Sequence, residues 1–170
     1  MTVSMYTASV PSFIRSLQNL IDILEKGAAY AAEKGIDQLA LTSFRIYPDM
    51  LPFTRQIQIA TDIAKGGAAR LAGQEPPAYE DTETTFPELI ARVNKTIDYL
   101  KGFSAAQIDG SEERPVTIKL RSGPLEFTGL SYLQNFVLPN VYFHVTAAYL
   151  ILRHNGVALG KADFLGNGKR

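Results

Sequence analysis

Two polar side chains stand on a helical face that is otherwise apolar. Leu130, Leu133, Val137, Asn140, His144, Ala147 and Ile151 step by three and four, which marks one side of a helix. Asn140 and His144 interrupt it at i, i+4, so both point the same way from adjacent turns. Pro139 lies just before them, inside the helix. It deletes one backbone hydrogen bond and clashes with the carbonyl of Asn135, so a kink is predicted. A kinked helix that turns an imidazole and an amide toward a core can frame a polar pocket for a small-molecule ligand or a metal. Asp49 is the third candidate: it either caps the helix that follows it or carries a carboxylate into the same core. His144, Asn140 and Asp49 with water would suit a weakly held, oxygen-tolerant divalent ion such as Zn, Ni or Mn. Such an ion lowers the pKa of its water for general-base work. The competing expectation has no ligand: a buried His and Asn hydrogen-bonded to backbone or to Tyr6, Tyr47, Tyr132 or Tyr142.

Other chemistries fall away. There are no cysteines, which excludes disulfides, thiolate nucleophiles, iron–sulfur clusters and thiolate zinc sites. Two histidines exclude a three-histidine metal site within one chain. His154 is ten residues from His144, roughly 15 Å along a helix axis, and fits a last-turn residue facing the helix dipole. Gly156 to Lys161 fails as a phosphate loop: one intervening residue is missing, no Ser or Thr follows Lys161, and no strand precedes it. No serine elbow or dinucleotide fingerprint occurs.

The elements that must position these residues follow from periodicity. Val10, Phe13, Ile14, Leu17, Leu20, Ile21 and Leu24 predict a first helix to about Ala32, with Pro11 near its start and Gly35 as its stop. Met50, Phe53, Ile57, Ala60, Ala64, Gly67 and Leu71 predict a second, ending at Gly73. Asp49 is its expected N-cap, which places Pro52 at N3. Small residues line this helix and invite a close neighbour. Phe86, Leu89, Ile90, Val93, Ile97 and Leu100 predict a third, opened by a capping box over Thr85–Glu88 and closed by Gly102. The fourth carries Asn140 and His144 and ends at Arg153-His154-Asn155-Gly156. Between the third and fourth, Val116, Ile118 and Leu120 alternate with polar residues. A turn at Ser122-Gly123-Pro124 and Leu125 to Thr128 complete a hairpin. Gln74 to Thr84 reads as an exposed crossover. The sum is an all-α four-helix bundle with a short β-hairpin between helices 3 and 4.

The chain of 170 residues is expected to form one domain, residues 1–170. Lys+Arg and Asp+Glu each number 17, so neither a nucleic-acid surface nor an anionic-membrane surface is expected. The start lacks a signal-peptide pattern, and no run reaches the ~20 apolar residues of a membrane span. A soluble cytoplasmic protein is the expectation.

Three segments carry a resemblance: YTASVPSF (6–13), YPDMLPF (47–53) and above all LPNVYFHVTAAYLILRHNGVALGKADFLG (138–166). They resemble an uncharacterised bacterial and fungal family within the DinB/YfiT-like four-helix bundle superfamily. That resemblance spans essentially the whole chain. It implies an up-down-down-up bundle with a long crossover and frequent homodimers. It also implies a divalent-metal site built from one His near the start of the second helix and two His one turn apart on the last, used in some members for thiol-dependent transfer or isomerisation. Here only His144 keeps its place. Asn140 stands at the other paired position, and Asp49 and Gln56 are the only substitutes near the second helix. The triad is therefore incomplete, and the leading expectation is a bundle of unknown biochemical role with a polar pocket around helix 4. A divalent-metal-dependent enzyme and a purely structural homodimer module are the alternatives. A dimer is expected in particular from the small-residue face of the second helix and from a hairpin too small to stand alone.

Overall fold

The computed structural model describes residues 3–120 and 123–166. It is mostly helical, with one antiparallel hairpin. Helix α1 (Met5–Lys34) is the longest element. It is capped by Ser4, whose hydroxyl accepts from the Thr7 amide, and is stopped by Gly35 at φ 62°. The helix therefore starts six residues before Pro11, which lies within it and not at its first turn. The stripe of large apolar residues at steps of three and four begins at Val10, so periodicity alone misses the first turn, although Met5 is buried in the core. Helix α2 (Gln38–Thr42) is a short connector.

Helix α3 (Phe53–Leu71) follows Pro52, which holds the N-cap position with no side-chain cap hydrogen bond. This corrects the reading of Asp49 as cap and of Pro52 as N3. The residue before a proline is disfavoured in the α region, in keeping with Leu51 lying outside the helix and the helix starting after Pro52. Asp49 lies exposed in the preceding turn. Helix α4 (Phe86–Lys101) has the expected capping box, with Thr85 and Glu88 exchanging side-chain-to-backbone bonds. A single turn, α5 (Ala105–Ile108), leads to strands β1 (Pro115–Leu120) and β2 (Gly123–Thr128).

The strands pair with Val116 opposite Phe127 and Ile118 opposite Leu125. Gly123 and Pro124 pair with Leu120 and Lys119, so they belong to β2 and not to the turn; Ser122 lies outside the described residues. The last long helix runs unbroken over Gly129–His154. It comprises α6 (Gly129–Tyr132), a π-helical turn (Leu133–Val137) and α7 (Leu138–His154). Helix α8 (Lys161–Leu165) closes the described chain.

One core unites these parts. Helix α3 packs on α7 and α4, and α1 packs on α4 and α7. Phe13, Leu17, Leu20, Phe53, Ile57, Phe86, Leu89 and Ile151 are fully buried there. Close approach is built in at two glycines. A Cβ on Gly27 would come within 2.9 Å of Leu152 and Phe86, and one on Gly67 within 2.6 Å of Val137. The small residues of α3 are thus covered by α1 and the π-turn of the same chain. One face of the hairpin is covered: Val116 and Ile118 are buried, and Phe127 joins Tyr132 and Phe136 in an aromatic cluster, while most of β2, Leu125 included, is exposed.

By length and composition Gly129–His154 is apolar enough to cross a membrane. Its Val137, Val141, Val145, Ala148 and Ile151 are buried against the rest of the chain, which accounts for much of that hydropathy. Its other side leaves Tyr142, Phe143 and Leu150 exposed.

Candidate functional site

The π-turn is where the sequence conflict at Pro139 is resolved. Pro139 has no N–H to give the carbonyl four residues back. Immediately before it, the Leu138 N–H reaches the Leu133 carbonyl, five residues back. The predicted kink is taken up as one widened turn, the form such insertions commonly have. One residue past the proline, the Asn140 side chain folds back and donates Nδ2 to the Phe136 carbonyl at 2.6 Å. Asn140 therefore serves its own helix as a backbone partner and is half-buried.

One turn on, His144 is 8% exposed. Its Nδ1 lies 2.7 Å from Gln56 Oε1, in the first turns of α3. Gln56 is itself fixed, because its Nε2 donates to the Leu51 carbonyl at 2.9 Å. The amide oxygen is then left to accept, so the proton sits on His144 Nδ1. Nε2 keeps its lone pair, without a partner among the described residues. Burial pushes the imidazole pKa below its ordinary 6.5, which keeps the ring neutral. Phe143 stacks edge-on against it at 5.2 Å.

Gln56 takes the place of the tyrosines expected as partners. Tyr132 instead accepts from Arg70 at 3.2 Å, while Tyr47 and Tyr142 are exposed. His154 lies in the last turn of α7, as expected, with its ring 5.7 Å from Phe44.

Of the three candidate ligands, His144 and Asn140 share a face of one helix and Asp49 sits outside the core. No hydrogen bond joins any two of them. Among the described residues no group of three or more His, Cys, Asp or Glu could hold a metal ion. The donor chemistry agrees: one imidazole nitrogen and one neutral amide oxygen, Asn140 Oδ1, are all that the helix offers, and Asp49 is exposed outside the core. This set does not fit a resident metal of the kind the resemblance implies. An apolar groove of about 340 Å³ lies between α7 and the turn before α3, lined by Phe143 and Ala147 but not by His144 itself. Ile46 and Met50 form one wall, and Pro139, Phe143, Ala147 and Leu150 the other.

A second polar cluster was not foreseen. Arg92 of α4 is 3% exposed and donates to Thr61, to the Glu80 carbonyl, to Glu83 and to Asp62. It also pairs with Asp81 at 3.1 Å. Lys65, equally buried, pairs with Asp62 and lies 3.6 Å from the Tyr79 ring centre. Burial outweighs the Asp62 contact and lowers the Lys65 pKa. Asp81, Glu83 and Tyr79 all come from the crossover, so this knot straps that segment onto α3 and α4. The signal in the sequence is Arg92 itself, three residues after Leu89 and four before Thr96, on the buried side of α4.

Comparison with known proteins gives three findings. A family model described as a domain of unknown function (DUF1993) matches residues 5–165. Among solved structures, a DinB family member protein from Shewanella denitrificans is similar, with 39% identity and a TM-score of 0.88. The match covers 97% of this chain and 93% of that one. No curated protein matches.

Proposed function

The chain belongs to the DUF1993 family of domains of unknown function, and on that footing we propose that it is a DinB-like up-down-down-up four-helix bundle that binds a small molecule beside His144 without a resident metal. The observation that carries this reading is the state of His144. Gln56 holds its Nδ1 proton, burial holds the ring neutral, and Nε2 remains an acceptor without a partner among the described residues, while its helix neighbours Phe143 and Ala147 line an apolar groove. A neutral acceptor flanked by apolar walls suits a ligand with an apolar body and one O–H or N–H donor. Phenol is a simple probe, and anisole lacks its donor. Phenol should bind the wild type more tightly than anisole, and His144→Leu should erase the difference. Equal binding of both to the wild type would defeat the reading.

The second reading keeps a divalent ion at His144, with Asn140 and Asp49 as further donors, and rests on the unpartnered Nε2. It would use Asn140 Oδ1, which the Nδ2–Phe136 bond leaves unengaged, and requires Asp49 to turn inward from the surface. Metal analysis of untagged protein decides: stoichiometric Zn, Ni or Mn favours this reading, and trace metal favours the first.

For assembly, the support is the exposed apolar face, where Phe143 is 59% and Tyr47 64% exposed. A homodimer laid across this face would close the groove over its ligand. Light scattering at micromolar concentration should show twice 18.7 kDa, and Phe143→Glu should return the monomer. A wild type that scatters only as the monomer would end the dimer proposal.

A further inference from the structure

We infer a second ligand site, for a small carboxylate with an apolar chain, in the cleft between α1, α7 and α8. The cleft has a volume of about 490 Å³, within the range of small-molecule sites. Val145 and Tyr142 line it from α7; Tyr142 also borders the groove beside Phe143, so the two cavities share that edge, and His144 lines neither.

Its polar wall is one face of α1. Ser12, Arg15, Ser16 and Asn19 follow at steps of three and one, then three, so they stack over two turns. Two of these build the cleft. Arg15 donates one Nη to the Leu165 carbonyl at 3.1 Å, and Asn19 donates to the Phe164 carbonyl at 2.9 Å. Together they dock the end of α8 on α1 and hold the guanidinium in place. The rest of the Arg15 fork stays free, and no carboxylate among the described residues pairs with it. The hydroxyls of Ser12 and Ser16 also have no partner there. The opposite wall is apolar, from Val145, Phe164 and Leu165, with the Tyr142 ring at the edge.

The chemistry of the occupant follows from this division. One cation and several neutral donors, with no acidic residue among the described residues that line the cleft, select a single negative charge. A planar guanidinium fork matches a carboxylate. The apolar wall adds a requirement for an aliphatic or aromatic tail on the same molecule. The cleft beneath the crossover is different, because Glu80, Glu83 and Glu88 line it beside Arg92 and Lys95. An anion entering there would meet carboxylates.

Octanoate is the probe, with 1-octanol as its uncharged counterpart, followed by calorimetry and by NMR shifts of the full chain. Octanoate should saturate one site, shift Val145 and Phe164, and bind at least about tenfold more tightly than octanol. Arg15→Gln should bring octanoate down to the level of octanol. Ser12→Ala with Ser16→Ala should weaken it less, in case loss of the Arg15–Leu165 bond undocks α8. His144→Leu, which tests the groove, should leave octanoate binding unchanged, so the two sites stand or fall separately. Equal affinity for octanoate and octanol in the wild type, or no saturable binding, would overturn the inference.

Discussion

Arg92 and His144 are both buried polar residues on core-facing sides of long helices, and they are satisfied to different degrees. Arg92 spends its donors on Thr61, Asp62, Glu80, Asp81 and Glu83, and nothing of it is left over. His144 makes one hydrogen bond, and its second nitrogen has no partner among the described residues. A fully satisfied buried group holds structure together, because every contact it makes is internal. A buried group with one free nitrogen that keeps its lone pair can take a ligand's donor without breaking anything first. The difference separates the strap from the candidate site.

Removing Arg92 should have the largest effect. Arg92→Met keeps the bulk and leaves Asp62, Asp81 and Glu83 crowded without their common cation. A loss of about 3–5 kcal/mol is expected in urea unfolding, the usual cost of removing one partner from a buried ionic cluster. A loss below 1 kcal/mol would mean that the crossover is held by something else.

His144→Ala comes next. It leaves Gln56 Oε1 unpaired and opens a small cavity, at a cost of about 1–3 kcal/mol. The cost should be the same with chelator and with excess Zn²⁺ or Ni²⁺. A metal-induced rise in wild-type melting temperature that vanishes in the variant would reverse the ranking of the two functional readings.

Thr85→Ala removes the hydroxyl that caps α4 where the strap ends, and should cost about 1 kcal/mol. No change at all in thermal unfolding would mean that the crossover end is already loose.

The smallest effects are in pH dependence, and they fall in separate windows. The folded-state pKa of His144 lies below 6.5, so between the two values the unfolded chain binds more protons. Stability should therefore fall as pH drops through 6.5 toward the folded value, and His144→Ala should lack this slope. Glu88 is held at about 2 by the amides of Thr84 and Thr85, below its ordinary 4.5. Its contribution is present above 4.5 and lost as pH falls toward 2, and Glu88→Gln should flatten that lower window alone.

The long elements were legible because each depends on local signals. The stripes of α1, α3, α4 and the last helix, the Thr85–Glu88 box, the Gly35 stop and the alternation of β1 all lie within a few residues of chain. The anomaly at Asn140 and His144 was visible for the same reason, since two polar residues broke a stripe. The short connectors α2, α5 and α8 were not visible, because four or five residues carry too little periodicity. The start of α3 was misplaced because Asp49 offered a cap, while Pro52 blocked the residues between.

What the sequence determined by itself is therefore the set of helices, the hairpin and the position of an unusual histidine, all consequences of spacing and backbone sterics. Tertiary structure decided the partners. Gln56 lies 88 residues from His144, Arg92 draws in three acids from two separate stretches, and Arg15 meets the carbonyl of Leu165 from the other end of the chain. A hydrogen bond depends on distances of about 3 Å and on direction. Between residues far apart in sequence, only the packing of helix on helix sets those quantities.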